Sequence, residues 1–194
     1  MKIVELIKQS AELLNLTEVR TELENITVEN ESEVLSNHYI LSLFNLSKFS
    51  IQELCTNYVP VSMEESVKIT NGKYPVSFLE NFIRIQNVTK QGEAVAYKVI
   101  NRNIVVDVDG EYEIKYLTYP SINSIFDEID FLEKFNPDVI VYGLCAYFSL
   151  AHGVFDEFNA FHEIYVEKAE NLKELRTFNM PQRRWEWNKK SVLK

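Results

Sequence analysis

The spacing of apolar and polar residues divides the chain into a helical part, a strand-rich part and a second helical part. Before residue 60 and after residue 120, apolar residues recur every three or four positions, which is typical of amphipathic helices. Between these limits the period shortens to about two, and short runs rich in Val, Ile and Tyr predict strands. The pattern therefore predicts an α+β fold.

The helices differ in how much of their surface is apolar. The pattern predicts amphipathic helices over residues 2–15, 19–25 and 32–58, the last capped by Ser32 and carrying Leu41 and Phe49 in its inward stripe. Residues 139–151 are apolar almost all round, which predicts a central helix in contact with neighbours on most sides.

The boundaries of this central helix can be read from its flanking residues. Asn136 is placed to cap it, and Gly153 is placed to end or bend it. An amphipathic helix over residues 155–175 follows, and we expect it to pack antiparallel to the central helix. Another helix, over residues 122–135, is expected to lead into the central helix, with Ile125, Ile129 and Leu132 facing inward.

Turn residues punctuate the strand-rich part. Strands are predicted over residues 65–70, 82–88, 94–100, 103–108 and 112–117. Asn71-Gly72 and Asp109-Gly110 predict hairpin turns because both residues of each pair tolerate positive φ, and Gln91-Gly92 and Asn101-Arg102 are expected to connect other strands.

Together these elements predict a helical bundle with an inserted antiparallel β lobe and a C-terminal extended arm. Residues 1–60 form the N-terminal helices of the bundle, residues 61–120 the lobe, and residues 121–175 the C-terminal helices of the same bundle. Residues 176–194 form a basic interaction arm. The N-terminal helices alone offer no partner for the long apolar face of helix 32–58, so we expect the two helical parts to pack against each other.

Charge is distributed unevenly along the chain. Six basic residues against Glu186 give residues 176–194 a charge of +5, so the remaining residues carry −14 of the total of −9. Exposed Trp and Arg side chains are favoured at protein interfaces. We therefore expect the arm to form an interface with another protein, the alternative being that both tryptophans fold back onto their own domain. The expected interface residues are Arg176, Met180, Arg183, Arg184, Trp185, Trp187, Lys189 and Lys190.

Residues that could carry chemistry are scattered. Cys55 and Cys145 lie in apolar helical patterns and are interpreted as buried hydrophobic residues. The three histidines lack metal-ligand spacing, and the carboxylates between residues 127 and 133 are interpreted as a solvated face. We predict no catalytic residue, no metal and no cofactor, and hence no enzyme. With no membrane-length apolar run and no secretory signal at residues 1–10, a protein made in a cytoplasm is expected.

The order of elements resembles that of the head-to-tail adaptor proteins of tailed phages, the tail tubular protein A type in particular. The resemblance covers residues 32–175. It rests on a strand lobe ending in Tyr116-Leu-Thr-Tyr119-Pro120, a helix leading into the apolar run 141–147, and a charged helix after Gly153. It implies a subunit that forms a ring, commonly of about twelve copies, with a terminal arm that reaches the portal or a neighbouring subunit.

These observations together predict a structural virion protein of the neck, assembled in the bacterial host cytoplasm. Its partners would be further copies of itself, the portal protein and a tail or stopper protein, with no membrane. DNA would pass through the ring without specific binding, since an acidic lumen does not hold phosphates. The alternatives are another neck or tail component, such as a stopper or tail terminator, an acidic monomer that binds a basic partner or imitates nucleic acid, and an enzyme of unrecognised type.

Overall fold

The computed structural model describes residues 1–129 and 136–178, with the backbone alone for residues 173–178. Over these residues, six α-helices and two antiparallel sheets form an α+β fold, as the sequence predicts. The helices are α1 (Ile3–Leu13), α2 (Thr17–Glu24), α3 (Glu31–Val34), α4 (His38–Asn57), α5 (Asp138–Ala151) and α6 (Phe155–Phe178).

Helix α5 is the central helix of the bundle, as its all-round apolar sequence predicts. It contacts α1, α4 and α6. The Asn136 side chain accepts a hydrogen bond from the backbone N–H of Asp138 at 3.0 Å, which satisfies one of the free donors at the start of the helix. Gly153, at φ +75°, ends it with a backbone conformation that glycine adopts without strain.

Helices α5 and α6 form an antiparallel pair. Gly143 of α5 faces the ring of Tyr165, and Asp138, at the start of α5, lies 3.9 Å from the Lys168 ammonium further along α6. Later residues of α6 therefore meet earlier residues of α5. The absence of a side chain at Gly143 is what allows this close approach, since an added Cβ would lie 3.1 Å from the Tyr165 ring.

The strand-rich part contains two small sheets. One has the strand order β1 (Val61–Ile69), β7 (Gly110–Thr118), β3 (Arg84–Lys90), β4 (Glu93–Ala94). The other has the order β2 (Lys73–Pro75), β6 (Asn103–Val105), β5 (Lys98–Ile100). As predicted, Gln91-Gly92 connects β3 to β4 and Asn101-Arg102 connects β5 to β6. All four residues are at positive φ.

The lobe and the bundle have separate apolar cores. Buried side chains of the strands form one cluster, and those of the helices together with Ile122, Ile125 and Ile129 form the other. Polar contacts of Asn81 join the lobe to the segment leaving it, because its side-chain amide donates to the Tyr119 carbonyl at 3.0 Å and to the Ser121 hydroxyl at 2.8 Å.

The predicted helix over residues 122–135 is wrong over its first eight residues. Residues 122–129 are not helical, although Ile125 and Ile129 do point into the core. Their backbone is held by the start of α1 instead: the N–H of Ile3 donates to the Asp127 carbonyl at 3.1 Å, and that of Val4 to the Ile125 carbonyl at 2.8 Å. Leu132 and the rest of this prediction lie outside the described residues.

Three further boundaries differ from the predictions. The expected helix over residues 32–58 is divided into α3 and α4, because the Asn37 side chain accepts from the backbone N–H of Tyr39 and starts a new helix. The expected strand over residues 94–100 is divided into β4 and β5, which belong to different sheets. Asp109-Gly110 is not a hairpin turn, since it connects β6 of one sheet to β7 of the other.

Candidate interaction surfaces

A continuous row of aromatic rings crosses α4, α5 and α6. Phe49 contacts Tyr147 with ring centroids 5.0 Å apart, and Tyr147 lies 6.2 Å from Tyr165. Along α6, Tyr165 is followed by His162 at 6.3 Å and His162 by Phe158 at 5.0 Å. We call these five residues the aromatic row. Phe49 at one end is 51% exposed, and Phe158 and His162 towards the other end are half-buried, so both ends of the row reach the surface, whereas Tyr165 at its centre is buried.

Hydrogen bonds to one carboxylate hold the centre of the row in place. Glu53 of α4 accepts from the hydroxyl of Tyr147 at 2.5 Å and from that of Tyr165 at 2.9 Å. Burial, followed by the hydrogen bond to Glu53, raises the pKa of Tyr147. Burial, followed by the negative charge of Glu53, raises the pKa of Tyr165. Both phenols therefore stay protonated donors, and the rings stay fixed relative to α4.

The first part of α6 buries very little. From Phe155 to Ile164 no side chain is buried, although Phe155, Phe158, Phe161 and Ile164 are apolar, and Phe155 is 62% exposed. Among the described side chains of α6, only Tyr165, Ala169 and Leu172 are buried. An amphipathic helix stabilises a fold by burying its apolar face. Phe155 and part of Phe158 therefore remain available to a partner, whereas Phe161 packs partly against the core and the ring of Tyr142.

The lobe has a second apolar surface, on its smaller sheet. Strand β5 lies at an edge of that sheet, and all three of its residues are exposed, with Val99 at 53%. Phe78, which is 68% exposed, contacts the ring of Tyr74 on β2, the other edge strand. An exposed edge strand with apolar residues offers unpaired backbone groups to another chain.

The cysteines and two of the histidines considered for chemistry lie in surroundings typical of residues with a structural role. Cys55 and Cys145 are buried free thiols, as predicted, and burial raises the pKa of each to about 12, so the nucleophilic thiolate is scarce at neutral pH. His38 and His152 contact each other and the ring of Tyr39. Residues 1–129 and 136–178 contain no group of three or more His, Cys, Asp or Glu side chains placed to hold a metal ion.

Asp109, expected to be part of a hairpin turn, supports a neighbouring turn. Its carboxylate accepts from the backbone N–H of Asn71 at 3.0 Å and of Gly72 at 2.7 Å. Asp127 has a similar role, since it accepts from the backbone N–H groups of Asn123 and Ser124 at 2.7 and 2.9 Å. Each carboxylate thus stabilises local backbone. Asp130 and Glu133 lie outside the described residues.

Most of the predicted interface residues also lie outside the described part of the chain. Arg176 is within α6, which runs to Phe178, so the start expected for the arm at residue 176 falls inside a helix. Met180, Arg183, Arg184, Trp185, Trp187, Lys189 and Lys190 lie beyond it, and their role stays a prediction.

Sequence reasoning missed the aromatic row. The prediction that Phe49 and Leu41 belong to the inward stripe of their helix is wrong, because Phe49 is more than half exposed and Leu41 is exposed as well. The spacing of buried positions in α4 does indicate that Phe49 faces outward. Ser47, Ser50, Ile51 and Leu54 are the buried positions here, and Phe49 lies on a different face of the helix from these residues.

No protein-family model matches this chain, and no curated protein shows significant similarity to it. Within the described ranges, no helix has the length and apolar character needed to cross a bilayer.

Proposed function

We propose that this chain is a structural subunit of a tailed-phage virion, a head-to-tail adaptor that forms a ring between the portal and the tail. It performs no reaction. Its work is to hold copies of itself and the neighbouring components together around the path of the DNA.

The observation that carries this proposal is the incompletely buried apolar face of the first part of α6, where Phe155 is exposed. Ten residues of a long helix contribute no buried side chain, although four of them are large and apolar. The β5 edge gives the lobe a second surface of this kind. A subunit in a closed ring needs distinct surfaces for its neighbours on both sides. The face of α6 and the edge of the lobe are suited to that task.

The order of elements supports the same proposal. Helices, a strand lobe and a final helical pair follow one another, which is the order on which the resemblance to the adaptor proteins rests, except that residues 122–129 are not helical. The acidic charge of residues 1–175 also suits a conduit, because a negatively charged surface repels DNA phosphates and lets the duplex slide.

The test is to measure the mass of the full chain by light scattering, alone and mixed with the portal protein of the same virus. We expect a complex that holds several copies of the chain per portal ring. A chain that stays at its monomer mass in the presence of the portal contradicts the proposal.

A pair of variants connects this test to α6. Phe155→Ser removes the most exposed aromatic residue of the helix, and we expect it to prevent or weaken the complex. Val28→Ser is the matched control, since Val28 is also strongly exposed but lies in the turn between α2 and α3. Equal assembly by both variants would mean that α6 is not at the interface.

Deletion of residues 176–194 tests the arm separately. We expect the shortened chain to fold but not to be incorporated into particles, because the Arg and Trp residues of the arm are removed. Incorporation at the normal level would show that the arm is dispensable.

A further inference from the structure

We infer that the aromatic row of one subunit is the docking surface for residues 183–187 of the arm of a second copy. This inference rests on the proposed function, because a ring brings identical chains side by side. It goes beyond that proposal by naming both partners of one contact.

Charge complementarity favours this pairing. Helix α4 and residues 155–172 of α6 contain six carboxylates against two lysines, Lys48 and Lys168. The carboxylates are Glu53, Asp156, Glu157, Glu163, Glu167 and Glu170. The arm has the opposite balance, with a charge of +5 over residues 176–194. The two surfaces therefore attract each other at low ionic strength.

The chemistry of the row suits arginine and tryptophan side chains. Arg guanidinium groups stack on the faces of Phe and Tyr rings, and Trp packs against aromatic edges. The exposed ring of Phe49 and the half-buried ring of Phe158 provide such faces at the two ends of the row. Because Glu53 fixes the rings between them, little side-chain entropy is lost when a ligand binds.

The length of the chain keeps a subunit's own arm away from the Phe158 end of the row. Phe158 lies twenty residues before the end of α6 at Phe178, which corresponds to about 30 Å of helix. Trp185 follows Phe178 by seven residues, which span at most about 25 Å when fully extended. A subunit's own Arg183, Arg184 and Trp185 therefore fall short of Phe158, whereas those of a neighbouring subunit face no such limit.

Chemical cross-linking between full-length chains tests the inference. One chain carries Phe158→Cys, at the end of the row that a subunit's own arm does not reach, and the other, of different mass, carries Trp185→Cys. Both are mixed with the portal protein and treated with a short bis-maleimide. The native Cys55 and Cys145 give little background, because they are buried and their thiols have a pKa raised to about 12. We expect a heterodimer band about tenfold stronger than with Val28→Cys as the acceptor.

Two further experiments identify which chain supplies the arm and which interactions hold it. We expect Arg183→Glu with Arg184→Glu, introduced into the Trp185→Cys chain, to lower the heterodimer yield several-fold. A single chain with both Phe158→Cys and Trp185→Cys, kept dilute, should give no internal cross-link. An internal cross-link there, or a mixed yield no higher than that of Val28→Cys, would overturn the inference.

Light scattering on the same samples separates this inference from the proposed function. Rings that form on the portal without the heterodimer cross-link overturn the docking site and leave the adaptor function standing. A heterodimer cross-link without any portal complex supports the docking site and contradicts the adaptor function.

Discussion

The carboxylate of Asp109, just before β7, accepts a hydrogen bond of 2.7 Å from the backbone N–H of Gly72, between β1 and β2. Gly72 is at φ +64°, and a Cβ there would lie 2.8 Å from the carbonyl oxygen of Val106. The turn is therefore fixed by a side chain far away in the sequence, and there is no room for a side chain at position 72.

We expect Asp109→Ala to lower the free energy of unfolding by about 1 kcal/mol, because it removes a charged acceptor from two backbone donors. The effect is moderate because water can reach the exposed turn. Urea denaturation measures it. Asp107→Ala is the control, since Asp107 is also exposed and lies two residues earlier. Equal stability of the two variants would argue against the contact.

Gly143→Ala tests the close approach of α5 and α6. Helix propensity alone would favour alanine by about 1 kcal/mol. We expect net destabilisation of about 1 kcal/mol instead, because the new Cβ would lie 3.1 Å from the Tyr165 ring, which is buried and held by Glu53. Thermal or urea unfolding gives the sign of the change. A more stable variant would show that the two helices separate without cost.

Glu53→Ala should be more destabilising than Tyr147→Phe. Loss of the carboxylate leaves the buried Tyr165 hydroxyl without its acceptor, at a cost of about 2 kcal/mol. Tyr147→Phe removes one donor at a half-buried position and should cost about 0.5–1 kcal/mol. Denaturant midpoints compare the two variants. The prediction fails if the tyrosine variant is the less stable one.

Stability should fall in alkaline solution. Burial raises the pKa of Tyr116, Tyr147 and Tyr165 in the folded chain above the value of about 10 in the unfolded chain. The unfolded chain therefore loses these protons first, so the contribution is complete below about pH 10 and is lost as the pH rises towards the folded values. Urea denaturation at pH 8 and above pH 10 measures this, and Tyr147→Phe with Tyr165→Phe should reduce the slope.

Thiol labelling should report on unfolding. Cys55 and Cys145 are fully buried, and their pKa values are raised to about 12. We expect neither to react with a maleimide or aromatic disulfide reagent in the folded chain at pH 7–8, and both to react in urea. Mass spectrometry counts the modified thiols. Rapid labelling without denaturant would mean that α4 or α5 opens readily.

The sequence was sufficient where local pattern determines the structure. The all-round apolar run 139–151 predicted a central helix, and Gly153 predicted its end, because burial on every side and positive φ both leave direct traces in residue type. Asn101-Arg102 and Gln91-Gly92 were likewise predicted correctly as connections between strands.

The errors arose where distant residues determine the structure. Asp109-Gly110 has the composition of a hairpin turn, yet its aspartate stabilises the Asn71-Gly72 turn instead. The aromatic row brings together residues from three helices, and the local spacing around Phe49 carries no information about Tyr147 or Phe158. The expected arm was placed from composition alone, which does not indicate that α6 extends beyond Arg176.

The bonds between the start of α1 and residues 125–129 also have a consequence for synthesis. The backbone of Ile3 and Val4 donates to carbonyls in that segment, and the N–H of Ile129 donates to the Met1 carbonyl. On the ribosome, the first helix can contact α2 and α4 early, but it reaches residues 125–129 only after well over half of the chain has been translated. The β lobe, whose strands pair only among themselves, can complete its folding earlier.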